Sequence, residues 1–250
     1  MDVVDLRNFY AQRLGTVARR YVGRGIRARW VDTRLLRVLG IGYPTPYLGL
    51  FREEAERCLA FMPGAQGVVK WPTTRPALSA LVDEGELPLP DACVDRVLLV
   101  HALEMSQDAP QLLREVWRVL ASGGRLLAVV PNRRGLWARM DTTPFGHGRP
   151  YSRSQIIQIL RETWFTPIGW GEALYVPPVA RNWFLRSATA WERAGARISA
   201  PFAGVHIVEA TKQVYRAIPV RREKQRLVPA LEPALAPSPG GAVGAIKQRF

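Results

Sequence analysis

No run of apolar residues in this 250-residue chain approaches the roughly eighteen needed to cross a bilayer, so no membrane span is expected. The first residues lack the apolar core of a secretory signal. They are amphipathic and arginine-rich, as organelle transit segments are, but Asp2, Asp5 and Asp32 argue against that, and a cytoplasmic protein is the expectation. Cysteine is scarce. Cys58 and Cys93 have no metal-type spacing, which excludes a disulfide framework and reads as two buried thiols in a reducing compartment. The three histidines, His101, His147 and His206, form no ligand cluster in the sequence, and no metal is expected. Lysine is scarce as well, four residues against 31 arginines, in a chain of net charge +14. A GC-rich coding sequence produces such a skew, but the charge is also unevenly placed. Residues 1–37 carry +6, and residues 125–153 and 216–250 carry +5 each. A basic periphery of this kind attracts an acidic small molecule, an acidic protein or nucleic acid.

What is present is an ordinary globular composition, 48% apolar, organised around Val94 to Asn132. Val97-Leu98-Leu99-Val100 is too short for a helix and reads as a strand. Asp108 and Pro110 give a helix-start signal, and Leu112, Leu113, Val116, Trp117, Val119 and Leu120 recur at helical spacing. Ser122-Gly123-Gly124 is expected to end that helix, and Leu126 to Val130 forms a second apolar run. Strand, helix, glycine turn and strand make a βαβ unit. Strands without polar alternation imply a sheet covered on both faces, hence a doubly wound α/β domain.

The string from His101 to Asn132, HALEMSQDAPQLLREVWRVLASGGRLLAVVPN, resembles the central segment of class I S-adenosylmethionine-dependent methyltransferases of the type 11 kind. That pattern has a strand ending near Leu-Glu-His, then Asp-Pro, then a helix closing on Arg-Val-Leu-x-Pro-Gly-Gly. Leu103 and Glu104 match, Met105 stands for the histidine and Ser122 for the proline. Val82 to Asp91 and Gly204 to Lys212 are similar to the segment before strand four and to the closing strand. The resemblance implies a Rossmann-like, mostly parallel seven-stranded sheet across residues 35–218. A helical cover would precede it at 1–34, and a flexible basic, proline-rich tail would follow at 219–250.

In chain order, Leu6, Phe9, Tyr10, Leu14, Val17 and Tyr21 make an apolar stripe on a helix expected over residues 2–30, weakened by Gly15, Gly23 and Gly25. This is either the cover of a cofactor pocket or a helix packed on the sheet edge. Leu35 to Gly42 is the first strand, with a helix expected from Tyr47 to Arg57. Gly40 and Gly42, before Tyr43, let a backbone approach a ligand closely. The family pattern, acid-x-Gly-x-Gly-x-Gly, would put its acid at Val38 and its third glycine at Pro44. Met62 stands where the second strand of the family ends in an acid that holds the ribose. By resemblance Asp83 meets the adenine amino group, although an aspartate there also suits a simple turn. The implied cofactor residues are therefore Gly40, Gly42, Tyr43, Met62, Asp83 and His101.

His101 and Glu104 follow strand four in the crevice where doubly wound sheets bind ligands, and are the candidate catalytic pair, His101 as base. A histidine hydrogen-bonded for structural reasons is the alternative. The stretch from Pro131 to Tyr151 alternates arginines with Trp137, Phe145 and Tyr151. Arg133, Arg134, His147 and Arg149 are its candidate substrate ligands, and a loop with solvated arginines is the alternative. Ser152 and Gln155 form a capping box, Phe165 to Trp170 starts another strand, and a helix is expected within 171–199. The leading expectation is methyl transfer from S-adenosylmethionine to an anionic small-molecule acceptor. The alternatives are a catalytically degenerate subunit that binds an acidic protein partner, and an RNA methyltransferase. The missing Asn/Asp-Pro-Pro-aromatic motif after strand four speaks against methylation of base amino groups.

Overall fold

A computed structural model describes residues 1–179, 184, 187–198 and 202–212. The expected tail at 219–250 and the bulky Trp183 and Leu185 lie outside these residues. Seven strands, β1 (Arg37–Gly42), β2 (Arg57–Pro63), β3 (Ser79–Val82), β4 (Val94–Val100), β5 (Leu120–Pro131), β6 (Phe165–Ala173) and β7 (Val205–Lys212), form one sheet in the order β3-β2-β1-β4-β5-β7-β6. β1 to β5 pair in parallel, and β7 runs antiparallel between β5 and β6. The sheet is doubly wound, as the sequence implies.

Alternate residues of the central strands feed two cores. Val38, Leu98, Val100, Leu127 and Ile207 pack under helices α1 (Val3–Ala11), α2 (Arg13–Arg27) and α3 (Thr45–Leu48). Leu39, Val97, Leu99, Leu126 and Val208 pack under α4 (Ala109–Val119) and α5 (Arg153–Glu162). This period of two, with both faces apolar, is why β4 and β5 read as continuous hydrophobic runs. Helix α6 (Ala188–Ile198) contributes Ala188 to the first core.

Local signals hold where the chain satisfies them locally. The Asp108 side chain accepts from the Gln111 N–H and caps α4, whose apolar face buries Leu112, Leu113, Val116 and Val119, each worth about 1.5–3 kcal/mol. The capping box at the start of α5 is formed in both directions. Three expectations need correction. The helix over residues 2–30 is two helices, because Gln12 turns extended and Gly15 lies against the Phe9 carbonyl with no room for a Cβ. The helix from Tyr47 to Arg57 is a single turn, Thr45–Leu48, and Arg57 already belongs to β2. Glycine does not end α4. Leu120 does so by turning extended, while Gly123, with φ of 72°, serves an irregular turn inside the long β5. Cys58 is buried and Cys93 half-buried, both as free thiols.

Candidate active site

The C-terminal ends of β1, β2 and β4 converge on a closed cluster rather than an open crevice. His101 follows β4 with φ of 50°, a left-handed conformation uncommon for a residue with a side chain. Its Nδ1 lies 3.1 Å from Glu104 Oε1, and both side chains are essentially inaccessible. Its Nε2 shares a 2.9 Å hydrogen bond with the Tyr10 hydroxyl, which in turn lies 3.1 Å from the Tyr47 hydroxyl. The Tyr43 ring stacks on Tyr10 at 5.8 Å, and Phe145 packs at 4.9 Å from the His101 ring. The Gln66 amide donates to the His101 carbonyl, while the Gln66 carbonyl accepts from the Val3 N–H, tying the start of α1 to the loop after β2. Burial, reinforced by Tyr47, pushes the Tyr10 phenol well above its ordinary value, so it stays a hydroxyl and can donate. Two buried acceptors, Glu104 Oε2 and Gln66 Oε1, have no hydrogen-bond partner among the described residues. Orphaned acceptors of this kind are costly unless a donor arrives.

The glycines sit in this packed region. A Cβ on Gly40 would overlap the Pro44 ring and Leu48, and one on Gly42 would overlap the Val100 carbonyl and Ala102. The space beside them is therefore filled by the chain itself. Met62 is fully buried, with its Sδ accepting from the Val69 N–H at 3.4 Å. Asp83 is placed differently. It is exposed at the end of β3, accepts from the Gly85 N–H at 2.8 Å in a turn, and lines a cavity of about 520 Å³ with Pro63, Leu81, Glu84 and Met105. Of the six implied cofactor residues, only Asp83 borders this open space. Gly40, Gly42, Tyr43, Met62 and His101 lie in the packed cluster.

The loop after β5 is anchored. Trp137 and Phe145 are buried, Trp137 Nε1 donates to the Val176 carbonyl at 2.8 Å, and the Arg149 N–H donates to the Glu104 carbonyl at 2.8 Å. Arg133 and Arg149 carry exposed side chains, and His147 Nε2 donates back to the Asp141 carbonyl at 2.8 Å. Arg134 borders a second cavity of about 560 Å³. Sequence reading missed Gln66, whose pattern carries no signal, and placed Tyr10 only as one of several apolar stripe residues.

Residues 22–128 match the family model described as a methyltransferase domain. The match runs from α2 into β5, so it covers the parallel half of the sheet and less than half of the chain. A relative in Mycolicibacterium smegmatis, named "Probable S-adenosylmethionine-dependent methyltransferase", is 38% identical over 82 residues, 32% of each chain. The match thus spans about a third of that relative's length. Among solved structures, an S-adenosylmethionine-dependent methyltransferase from Archaeoglobus fulgidus superposes with TM-score 0.55 at 18% identity, covering 76% of this chain and 94% of that one. The cyclase SpnF superposes with TM-score 0.54 at 19% identity, covering 77% and 81%. A methyltransferase-like fold thus hosts more than one chemistry, and the residues at the strand ends must carry the argument about activity.

Those residues fit an adenosyl group better than a whole S-adenosylmethionine. The cavity beside Asp83 offers apolar walls in Leu81 and Met105 and a carboxylate acceptor. Toward the amino-acid end, Pro44 and Leu48 occupy the space next to Gly40, and the Val100 carbonyl and Ala102 that next to Gly42. The orphaned Glu104 and Gln66 oxygens are the acceptors that a cationic amino group would need.

Proposed function

We propose that this domain binds S-adenosylmethionine and transfers its methyl group to an anionic small-molecule acceptor, with α1 as a cover that must withdraw before the whole cofactor is held. The observation that carries this reading is the cavity bounded by Asp83 and Met105, beside the strand ends of a β3-β2-β1-β4-β5-β7-β6 sheet. The family match supports the choice of donor. The cofactor supplies a methyl group already activated on a sulfonium, so the protein needs to position and desolvate rather than provide a nucleophile. Asp83 would accept from the adenine amino group, with Leu81 and Met105 against the ring. Glu104 Oε2 and Gln66 Oε1 would accept from the amino group at the other end. His101 is oriented by Glu104 through Nδ1, so withdrawal of Tyr10 would free Nε2 to take a proton from the acceptor. The arginines of the loop after β5 would draw an anion toward the same edge.

The filled space beside Gly40 and Gly42 favours a second reading, a subunit that keeps the fold and binds a protein partner. Calorimetry with S-adenosylhomocysteine separates the two. Saturable micromolar binding, weakened tenfold or more by Asp83→Ala, is expected. No heat at millimolar ligand, with circular dichroism showing an intact fold, overturns methyl transfer and leaves the subunit reading.

A further inference from the structure

The second cavity opens on the β5-β7-β6 side of the sheet. Its buried element is His206 on β7, in register with Glu172 on β6 and Val130 on β5. Directly opposed residues of an antiparallel pair share a face, and His206 Nδ1 lies 3.3 Å from Glu172 Oε1. Burial works against the charge on Glu172, but the nearby His206 and hydrogen bonds from Trp170 and Tyr175 outweigh it and hold the carboxyl below its ordinary value. Glu172 is therefore held as an anion, with its Oε1 close to the His206 ring. Although it lies 3.3 Å from Glu172, His206 Nδ1 has no hydrogen-bond partner among the described residues, so a buried ring beside the cavity keeps an unsatisfied polar atom. The Trp170 ring lies 4.8 Å from His206, and the Arg153 guanidinium 4.7 Å from Trp170.

Arg134 follows β5 and Arg153 opens α5. Both are exposed at the rim, and neither has a carboxylate partner among the described residues. The first turn of α5 adds backbone N–H groups that the helix cannot satisfy internally, together with the Ser154 hydroxyl. Polar groups thus arrive from three elements: the loop after β5, the start of α5 and strand β7. A planar carboxylate uses a single plane of such a set, whereas a tetrahedral anion uses all of it.

We infer that this cavity is a binding site for a phosphoryl group carried by the methyl acceptor, held by Arg134, Arg153, His206 and the start of α5. The word acceptor rests on the function proposed above; the anion site does not. The test is inorganic phosphate titrated into the full chain, followed by calorimetry and phosphorus NMR, with and without S-adenosylhomocysteine. Saturable phosphate binding is expected, weakened tenfold or more by Arg134→Gln and by Arg153→Gln. The exposed Arg161→Gln, at the other end of α5, should leave it unchanged, and acetate should compete at least tenfold less well. Circular dichroism melts verify that the variants are folded. Absent phosphate binding overturns the site, as does equal weakening by Arg161→Gln or equal competition by acetate. Phosphate binding without any S-adenosylhomocysteine binding would uphold the site and sink methyl transfer. The reverse pattern would sink the site alone.

Discussion

Tyr10 and His101 stand 91 positions apart and meet in a 2.9 Å hydrogen bond between a phenol and an imidazole Nε2. That bond joins the first helix to the end of the central strand at a residue held in a left-handed conformation. A non-glycine residue there costs about 1–3 kcal/mol, and persists only because its surroundings over-determine it. Here the surroundings are Glu104 on Nδ1, Gln66 on the carbonyl and Phe145 against the ring.

Removing the Tyr10 side chain should open the amino-acid end of the site. Tyr10→Ala is expected to cost about 3–5 kcal/mol of stability through the lost ring, yet to tighten S-adenosylhomocysteine at least several-fold. Adenosine, which needs only the cavity beside Asp83, should bind unchanged. Tyr10→Phe keeps the ring, should cost about 1 kcal/mol for the hydroxyl, and should leave both affinities nearly as they were. Calorimetry of the two ligands against the three proteins reads this directly. Equal tightening of adenosine and S-adenosylhomocysteine would contradict the cover.

Asp83 has two tasks that substitution can separate. Its carboxylate both accepts the Gly85 N–H and lines the cavity. Asp83→Asn keeps an acceptor for the turn and removes the charge. It should weaken adenosine by roughly tenfold, about 1.4 kcal/mol, while shifting thermal stability little. Asp83→Ala should lose both. Stability loss without any change in adenosine affinity would reduce Asp83 to a turn residue.

The fold was legible wherever a signal is local. Apolar runs at β4 and β5, the Asp108 cap and the Ser152–Gln155 box all act within a few residues, so the sequence shows them directly. The site was less legible because its chemistry is long-range. Gly40 reads as room for a ligand, but Pro44 and Leu48 fold back into that room. His206 and Glu172 become a pair only through the β6–β7 register, which no spacing rule anticipates. In the sequence Gly15 weakens a single long helix, whereas in the fold it permits the close join between two.

The same packing changes what a glycine substitution would measure. At Gly42, φ of 91° excludes most side chains, and a Cβ would run into the Val100 carbonyl. Gly42→Ala should therefore destabilise the fold by roughly 2–4 kcal/mol from backbone strain and overlap together, whether or not a cofactor is added. Denaturant melts with and without S-adenosylhomocysteine should give the same loss. A loss that appears only with ligand would instead place Gly42 against the cofactor.

Cys58 gives the chain a predictable weakness at alkaline pH. The thiol is buried on β2, with the Leu48 carbonyl 3.9 Å from Sγ, and burial pushes its pKa from an ordinary 9.0 up to about 12. Between these values the unfolded chain has lost the thiol proton and the folded chain has kept it. Stability is therefore complete below about pH 9 and falls as pH rises toward 12. The buried Tyr10 and Tyr47 phenols, both raised above 10.0 chiefly by burial, add to the loss at the upper end. Denaturant melts from pH 8 to 10.5 should show the decline, and Cys58→Ala should flatten its lower part despite a smaller overall stability from the cavity it leaves. A thiol reagent at pH 8 should modify the half-buried Cys93 well before Cys58. Equal rates at the two cysteines, or a stability that holds level through pH 10, would show that β2 opens far more readily than its packing implies.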